Sequence, residues 1–343
     1  MLTTILDIDD PRWADFVSAC PSATCFHHPA WSKAVSECYG YKPFAFALED
    51  DSGRVRGGLP LVEVRARLGG RRWISLPFTD HCPPLVSDES DRTRLIGELD
   101  RLRVSEGIRE LEVRDNVNHG GSHLLQAAVR HTLAIRPDAQ EMYRAFHKSQ
   151  VQRSSGKSQR EGIEVRVAER AEDLTDVFYR LHANTRRRLG VPVQPRRFFQ
   201  SLWDETVERG LGFVLIASAG DLPVASAVFL SWNGTLIYKY GASDSSSWNL
   251  RPNHAIFWNA IQWAASNGYH TLDFGRTEVD QEGLRSFKSG WGATEVPLQY
   301  SVFADRAPQE SRQRLSHLME PVLKRSPMWV ARLVGELTYK YAA

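Results

Sequence analysis

Cysteine is scarce: four stand among 343 residues, at Cys20, Cys25, Cys38 and Cys82, with no Cys-x-x-Cys pair. That spacing excludes a zinc ribbon and a disulfide framework and fits a reducing compartment. No apolar run approaches the ~20 residues that cross a bilayer. The opening stretch MLTTILDIDDPRW has no basic segment followed by an apolar one, so no secretory signal is expected. An excess of one charge sign is missing as well. Lys and Arg number 43, Asp and Glu 41, and the balance of +2 is too small for a protein that coats nucleic acid. With 42% hydrophobic and 24% charged residues, disorder and a collagen-like chain are excluded. What the chain does have is length for about two domains at ~150 residues each, and ten tryptophans. The expected location is the cytoplasm, with the inner face of a membrane left open.

Patterning divides the chain into two similar halves. Residues 11–39 read as helical, with Trp13, Phe16, Val17 and Cys20 at helical spacing. FAFALED (44–50) and VRGGLPLVEVRAR (55–67) read as strands joined by a turn at Asp51-Ser52-Gly53. RRWISLPF (71–78), an amphipathic helix over 90–106 and the strand RELEVR (109–114) complete a unit of about 130 residues. A polar, basic helical connector follows at 142–162. The pattern then restarts with a strand (163–168), helices from Asp173 to Arg188 and Pro195 to Arg209, and strands at 212–219, 222–232 and 235–243. Asn233-Gly234 between the last two is a strong hairpin signal. A helix (253–267), the short strand TLDFG (271–275), a helix from Glu282 to Lys288 and the strand VPLQYSVF (296–303) close this half. Residues 309–341 read as a helical tail broken at Pro327, with an apolar stripe beside Lys324, Arg325, Arg332 and Lys340. Such a tail packs on the body of the protein or lies on a membrane surface.

Several residue sets bear on chemistry. Lys288 follows Phe287 in a glycine-rich stretch where backbone can approach a ligand. Two acid-free basic runs, Arg144–Arg160 with Lys148 and Arg153, and Arg186–Arg197 with Arg188, suit phosphate groups; the simpler alternative is a solvated face. Tyr238 and Tyr240 alternate along one strand, which puts both hydroxyls on one side, either packed or free to position a substrate. Asp273 ends a buried strand, where it either serves the structure or orients an amine or Lys288. Asp80-His81-Cys82 is not read as a nucleophilic triad, because neighbours in sequence rarely face one another. DFG (273–275) is no kinase signature without its companion motifs. No metal-ligand set stands out.

The order of elements, and the blocks HHPAW (27–31), SLPFTDHCPPL (75–85), RLHANTRRRLGVPVQPRRFF (180–199), YKYGASD (238–244), DFGRT (273–277) and GLRSFKSGWGA (283–293), resemble the Fem-like aminoacyltransferases of bacterial envelope and exopolysaccharide systems. The resemblance covers about residues 10–304 and rests on the spacing of the blocks. It implies an α/β (α+β) chain of two tandem GNAT-like domains with mixed sheets: 1–140, a basic connector 141–162, 163–304, and a helical tail 305–343. It implies an amide-forming acyltransferase with a cleft between its domains. The donor is aminoacyl-tRNA, with acyl-CoA as the alternative. The acceptor is an amine on a nucleotide-linked or lipid-linked precursor such as that of peptidoglycan. Lys288 stabilises the oxyanion, with Asp273 as its companion. Phe287 marks the place where donor and acceptor meet. Thr185 and Arg188 stand in a motif position, Lys148 or Arg153 hold phosphates, Tyr238 or Tyr240 orients the acceptor, Asp80 anchors its amine, and Trp31 lies in the opening block. No metal and no tightly bound cofactor are implied. Acyl-CoA enzymes of this fold cradle pyrophosphate on a glycine-rich turn at a helix N-terminus. Here that turn, SWNLRPNHA (247–255), has no glycine and holds a proline, which favours the tRNA-dependent reading over the acyl-CoA one. An acyl-CoA N-acetyltransferase acting on an amino sugar or small molecule, a tRNA-dependent ligating enzyme of natural-product synthesis and a catalytically dead scaffold are the other readings.

Overall fold

The computed structural model describes residues 2–65, 70–305 and 320–341. It falls into two units: residues 1–127 with 298–313 and 338–343, and residues 128–297 with 314–337. The boundaries cut through two strands, and the 141–162 connector lies wholly in the second unit.

In the first unit, β1 (Leu2–Asp7) is followed by α1 (Pro11–Ala19) and α2 (Pro29–Tyr39). The single helix expected over 11–39 is thus two. Pro21 cannot continue a hydrogen-bonded helix, whereas Pro29 suits a first helical position. There His28 accepts the Ala30 N–H. Then come β2 (Lys42–Glu49), β3 (Val55–Arg65), β4 (Arg71–Ile74), α3 (Glu89–Ser105) and β5 (Glu110–Val113). Asp88 caps α3 by accepting the Asp91 N–H. The sheet order is β1-β2-β3-β4-β5, joined at its end by residues 301–304 of the strand Thr294–Ala304. Only the pair β4–β5 is parallel. Leu6, Trp13, Val17, Ala45, Ala47 and Leu85 form a core beneath it.

The second unit begins with β6 (Ser122–Ala134), a strand the sequence pattern did not reveal. Val129, His131, Leu133 and Ile135 alternate as buried residues. The polar type at His131, on the buried side, breaks that period-2 signal. The connector is helical as expected: α4 (Ala139–Ala145), a π-turn (Lys148–Gln152) and α5 (Arg153–Arg160). β7 (Ile163–Val167), α6 (Tyr179–Leu189, preceded by a π-turn Asp173–Phe178) and α7 (Arg196–Leu202) lead to the antiparallel run β8 (Gly212–Ala219), β9 (Leu222–Trp232) and β10 (Thr235–Ser243). Asn233 and Gly234 both take positive φ, 45° and 68°, as the two-residue hairpin between β9 and β10 requires. α8 (Pro252–Ser266), β11 (Thr271–Thr277), α9 (Glu282–Gly290) and β12 (Thr294–Ala304) follow. The sheet order is β6-β11-β10-β9-β8-β7, with β10–β11 its one parallel pair. The α8 face carrying Ile256, Phe257, Ala260, Ile261 and Ala264 packs into the core with Phe229, Phe274 and Trp291.

The strand expected at 296–303 exists, and its residues 301–304 pair with β5 in the first unit. In the tail, residues 320–325 and α10 (Met328–Thr338) are helical on either side of Pro327. The part expected at 309–319 lies outside the described residues.

Candidate active site

β10 and β11 pair through three residues, Thr235–Ile237 against Thr271–Asp273, and then separate. Both strands carry an irregularity at that point. On β10, Tyr238 sits opposite Phe229 and Tyr240 opposite Val228, so Lys239 is an inserted bulge residue. On β11, the register against β6 slips between Asp273 and Arg276, and Gly275 takes φ 71°, a conformation that favours glycine.

Two charged side chains hold the β11 irregularity from opposite ends. Asp273, 3% exposed, accepts the Gly275 N–H (2.8 Å) and the Arg130 guanidinium (2.8 Å). Lys288, 2% exposed on α9, donates from Nζ to the carbonyls of Gly275 (2.9 Å) and Arg276 (3.1 Å). Two of the three ammonium hydrogens are therefore fixed on the backbone where the strands part. Burying an ammonium is costly without such partners. Asp273 and Lys288 are thus linked through the backbone of Gly275. His131 lies 3.0 Å from Glu295, whose carboxylate also takes the Arg285 fork at 2.8 and 2.7 Å. Burial, and then the nearby Lys288 charge, lower the His131 pKa and keep its ring neutral.

α9 is clamped by the connector. His147 donates its N–H to the Gly290 carbonyl (3.0 Å), and Gln150 donates to Ser286 Oγ (3.1 Å). A Cβ at Gly290 would meet Gln150 Oε1 at 2.7 Å, so a side chain there would displace the Gln150 amide. Lys148 and Arg153 are exposed on this docked segment. Phe287 is half-buried against His254 (5.1 Å), Phe257 (5.5 Å) and Trp291 (6.2 Å). Burial, helped by the Arg251 charge, holds His254 down to about 4.

The bulge at Lys239 overturns the expectation that the two tyrosines share a side. Tyr238 packs on Phe229 and Phe257, towards α8. Tyr240 packs on Phe198, Phe199 and His182, towards α6 and α7. One inserted residue reverses the alternation. Burial pushes the Tyr238 hydroxyl up to about 12, so it stays protonated at neutral pH.

Thr185 and Arg188 brace the end of β10. Thr185 Oγ1 donates to the Ser243 carbonyl and accepts its N–H, both at 3.3 Å. Arg188 lies over the Trp248 ring at 4.6 Å, and Trp248 donates to Ser243 Oγ (2.9 Å). In the turn before α8, the N–H groups of Ser246, Ser247, Arg251 and His254 are all bonded within the turn, and Pro252 has none.

Asp80 and Trp31 belong to the first unit. Trp31 is fully buried and donates to Thr79 Oγ1 (2.8 Å), so it shapes the 75–85 loop from beneath and offers no surface to a substrate. Asp80 is half-buried, and its carbonyl accepts the Tyr300 hydroxyl (2.8 Å). His81 turns to Asp115 (3.1 Å), and burial raises the Cys82 thiol pKa, so the Asp80-His81-Cys82 trio makes no nucleophile. Sequence reasoning missed Arg130 and His131, because it missed β6.

Residues 144–295 match the family model described as an acetyltransferase (GNAT) domain. The matched stretch lies within the second unit. The whole chain has the fold of FemX: it is similar to the crystal structure of that protein with TM-score 0.71 and 16% identity, over 93% of this chain and 100% of that one. It is also similar to L-PGS from Bacillus licheniformis (TM-score 0.58, 11% identity, 92% and 98% covered). A third likeness is to a tandem GNAT protein from the clavulanic acid biosynthesis pathway (TM-score 0.52, 10% identity, 90% and 100% covered). The Fem-like, tandem GNAT architecture read from the sequence is therefore present. No curated protein sequence matches the chain.

Proposed function

We propose that the protein forms an amide between an aminoacyl group, carried as an ester on tRNA, and an amine of a peptidoglycan or other cell-envelope precursor. The observation that carries this reading is the buried Lys288 ammonium, fixed on the Gly275 and Arg276 carbonyls where β10 and β11 part. The acceptor amine attacks the ester carbonyl, a C–N bond forms, and the carbonyl oxygen takes up negative charge. A fixed positive group in a dry site stabilises that charge without reorganising. The C–O bond to the ribose then breaks, and the amine proton passes to the departing oxygen or to solvent.

The donor assignment rests on the turn before α8. Four of its amides bond inward and Pro252 lacks one, which leaves a poor cradle for a pyrophosphate. Exposed Lys148, Arg153 and Arg188 supply cations for the few phosphates of an acceptor end. The test is transfer of a labelled amino acid from charged tRNA to a nucleotide-linked precursor. Transfer abolished by ribonuclease supports the reading, and transfer from an acyl-CoA in ribonuclease-treated samples overturns it. The match to an acetyltransferase domain favours the acyl-CoA enzyme as the second reading.

The proposal extends to a membrane surface, where a lipid-linked precursor would be met. Among the described residues no helix is long and apolar enough to cross a membrane. On α10, however, Trp329, Leu333 and Leu337 are 65%, 50% and 61% exposed at i, i+4 spacing. Trp329→Ala is expected to reduce co-sedimentation with anionic vesicles, and unchanged binding removes this extension.

A further inference from the structure

Three helices of the second unit and the start of its edge strand β7 enclose a cleft of about 410 Å³. α8 contributes Trp258, Asn259 and Gln262, and α5 contributes Ser155 and Gln159. α4 contributes Tyr143. The spacing of i, i+3 and i+4 puts each set on one helical face. Ordinary helix packing would fill such faces with apolar residues; here they present amides, hydroxyls and two aromatic rings.

We propose that this cleft binds a neutral, polyhydroxylated ligand, a pyranose ring of a saccharide. None of the side chains lining it is Asp, Glu, Lys, Arg or His, so neither a phosphate nor a metal ion finds a counter-charge there. Its aliphatic lining is confined to Ile163 and Ala255, too little for an acyl chain. Nine of its ten lining residues are helical, and the one strand residue, Ile163 at the end of β7, is too short a stretch to pair with a peptide. Trp258 and Tyr143, with ring centroids 4.8 Å apart, form an aromatic wall for the apolar face of a sugar. Asn and Gln side chains both donate and accept, and so do sugar hydroxyls. Ser155 gives an independent sign. It is 6% exposed, and among the described residues its Oγ has no hydrogen-bond partner. Such a group is costly unless something completes it. The size of the cleft also falls in the range of small-molecule sites.

This inference does not depend on the acyl-transfer reading, because none of the residues lining the cleft takes part in it. The test is isothermal titration and saturation-transfer NMR of the full chain with N-acetylglucosamine, its β1,4-linked disaccharide and maltose, and with uridine and adenosine. At least one saccharide is expected to bind, and Trp258→Leu to abolish that binding. Ser155→Ala is expected to weaken it about fivefold, the loss of one hydrogen bond. Ser155→Ala should leave the melting temperature of the free protein unchanged or higher, since it removes an unsatisfied hydroxyl. Should Trp258→Leu fail to fold, Gln262→Ala and Asn259→Ala serve in its place. The proposal is overturned if no saccharide binds, if binding survives these substitutions unchanged, or if the nucleosides bind in the cleft and the saccharides do not.

Discussion

Each unit contains one parallel strand pair that separates after three paired residues, and what lies beyond the parting differs. In the first unit β4 and β5 pair over Arg72–Ile74 and Glu110–Glu112. The chain itself then stitches the opening. Ser75 donates its N–H to Glu112 O (2.9 Å) and accepts the Arg114 N–H on Oγ (2.7 Å), and Cys82 N–H reaches Arg114 O (3.0 Å). Arg114 completes the seal on Thr79 O (2.7 Å), on Glu112 (3.0 Å) and over the Tyr300 ring (5.1 Å). Leu76 and Phe78 accept positive φ, 64° and 59°, to make this possible, at a cost of about 1 kcal/mol each. In the second unit the corresponding edges hold a bulge at Lys239, the Gly275 kink and the Lys288 ammonium. The same fold thus ends in a satisfied loop in one unit and in a positioned charge in the other. A positioned charge is what acyl transfer needs.

The difference between the two units is expected to show most strongly in stability. Asp273→Ala removes the buried partner of Arg130 and the acceptor of the Gly275 N–H. A loss of about 3 kcal/mol is expected in urea unfolding. Asp115→Ala in the first unit's loop, where the carboxylate is more exposed, is expected to cost about 1 kcal/mol. Equal costs would mean that the two sites are built alike.

A pH titration sharpens it next. Burial holds His27 in the first unit down to about 4 and His182 in the second down to about 3. Both stay neutral in the folded chain, while the unfolded chain takes up protons near pH 6.5. Stability therefore falls as pH drops below about 6.5, towards about 4 for His27 and about 3 for His182. Each contributes up to about 1.4 kcal/mol per pH unit. Denaturant midpoints at pH 7 and pH 5 measure the fall, and His182→Gln should flatten it. A midpoint unchanged between the two pH values would contradict the burial of these rings.

The smallest effect is expected at Arg188. Arg188→Ala removes a partly exposed stacking contact worth about 0.5 kcal/mol of stability. Its expected effect on transfer is a raised KM for the donor with little change in kcat. A change confined to kcat would place Arg188 in the chemical step.

The second unit was more legible from sequence than the first, for physical reasons. Its strands β8 to β10 are long, largely apolar and joined by turns with strong signals, Asn233-Gly234 among them between β9 and β10. Lys288 and Phe287 stood out because glycines frame them. β6 was hidden, since His131 occupies a position that a pattern reader assigns to an apolar residue, and the partner of Asp273 vanished with it. The tyrosine pair was misplaced for a different reason: nothing in Tyr238-Lys239-Tyr240 announces a bulge that depends on the neighbouring strand. Trp31 lies in a family-like block, but its part is to hold Thr79 from the core.

The role proposed for the buried Lys288 ammonium is to act on the reacting carbonyl. Its most direct test is the single-turnover rate of amide formation by Lys288→Met, a substitution of similar length, with a folded circular-dichroism spectrum as the control. The rate is expected to fall by about 10²–10³, as for loss of one oxyanion-stabilising group, while donor binding stays within a few-fold of the wild type. A folded Lys288→Met protein that transfers at the wild-type rate would contradict it.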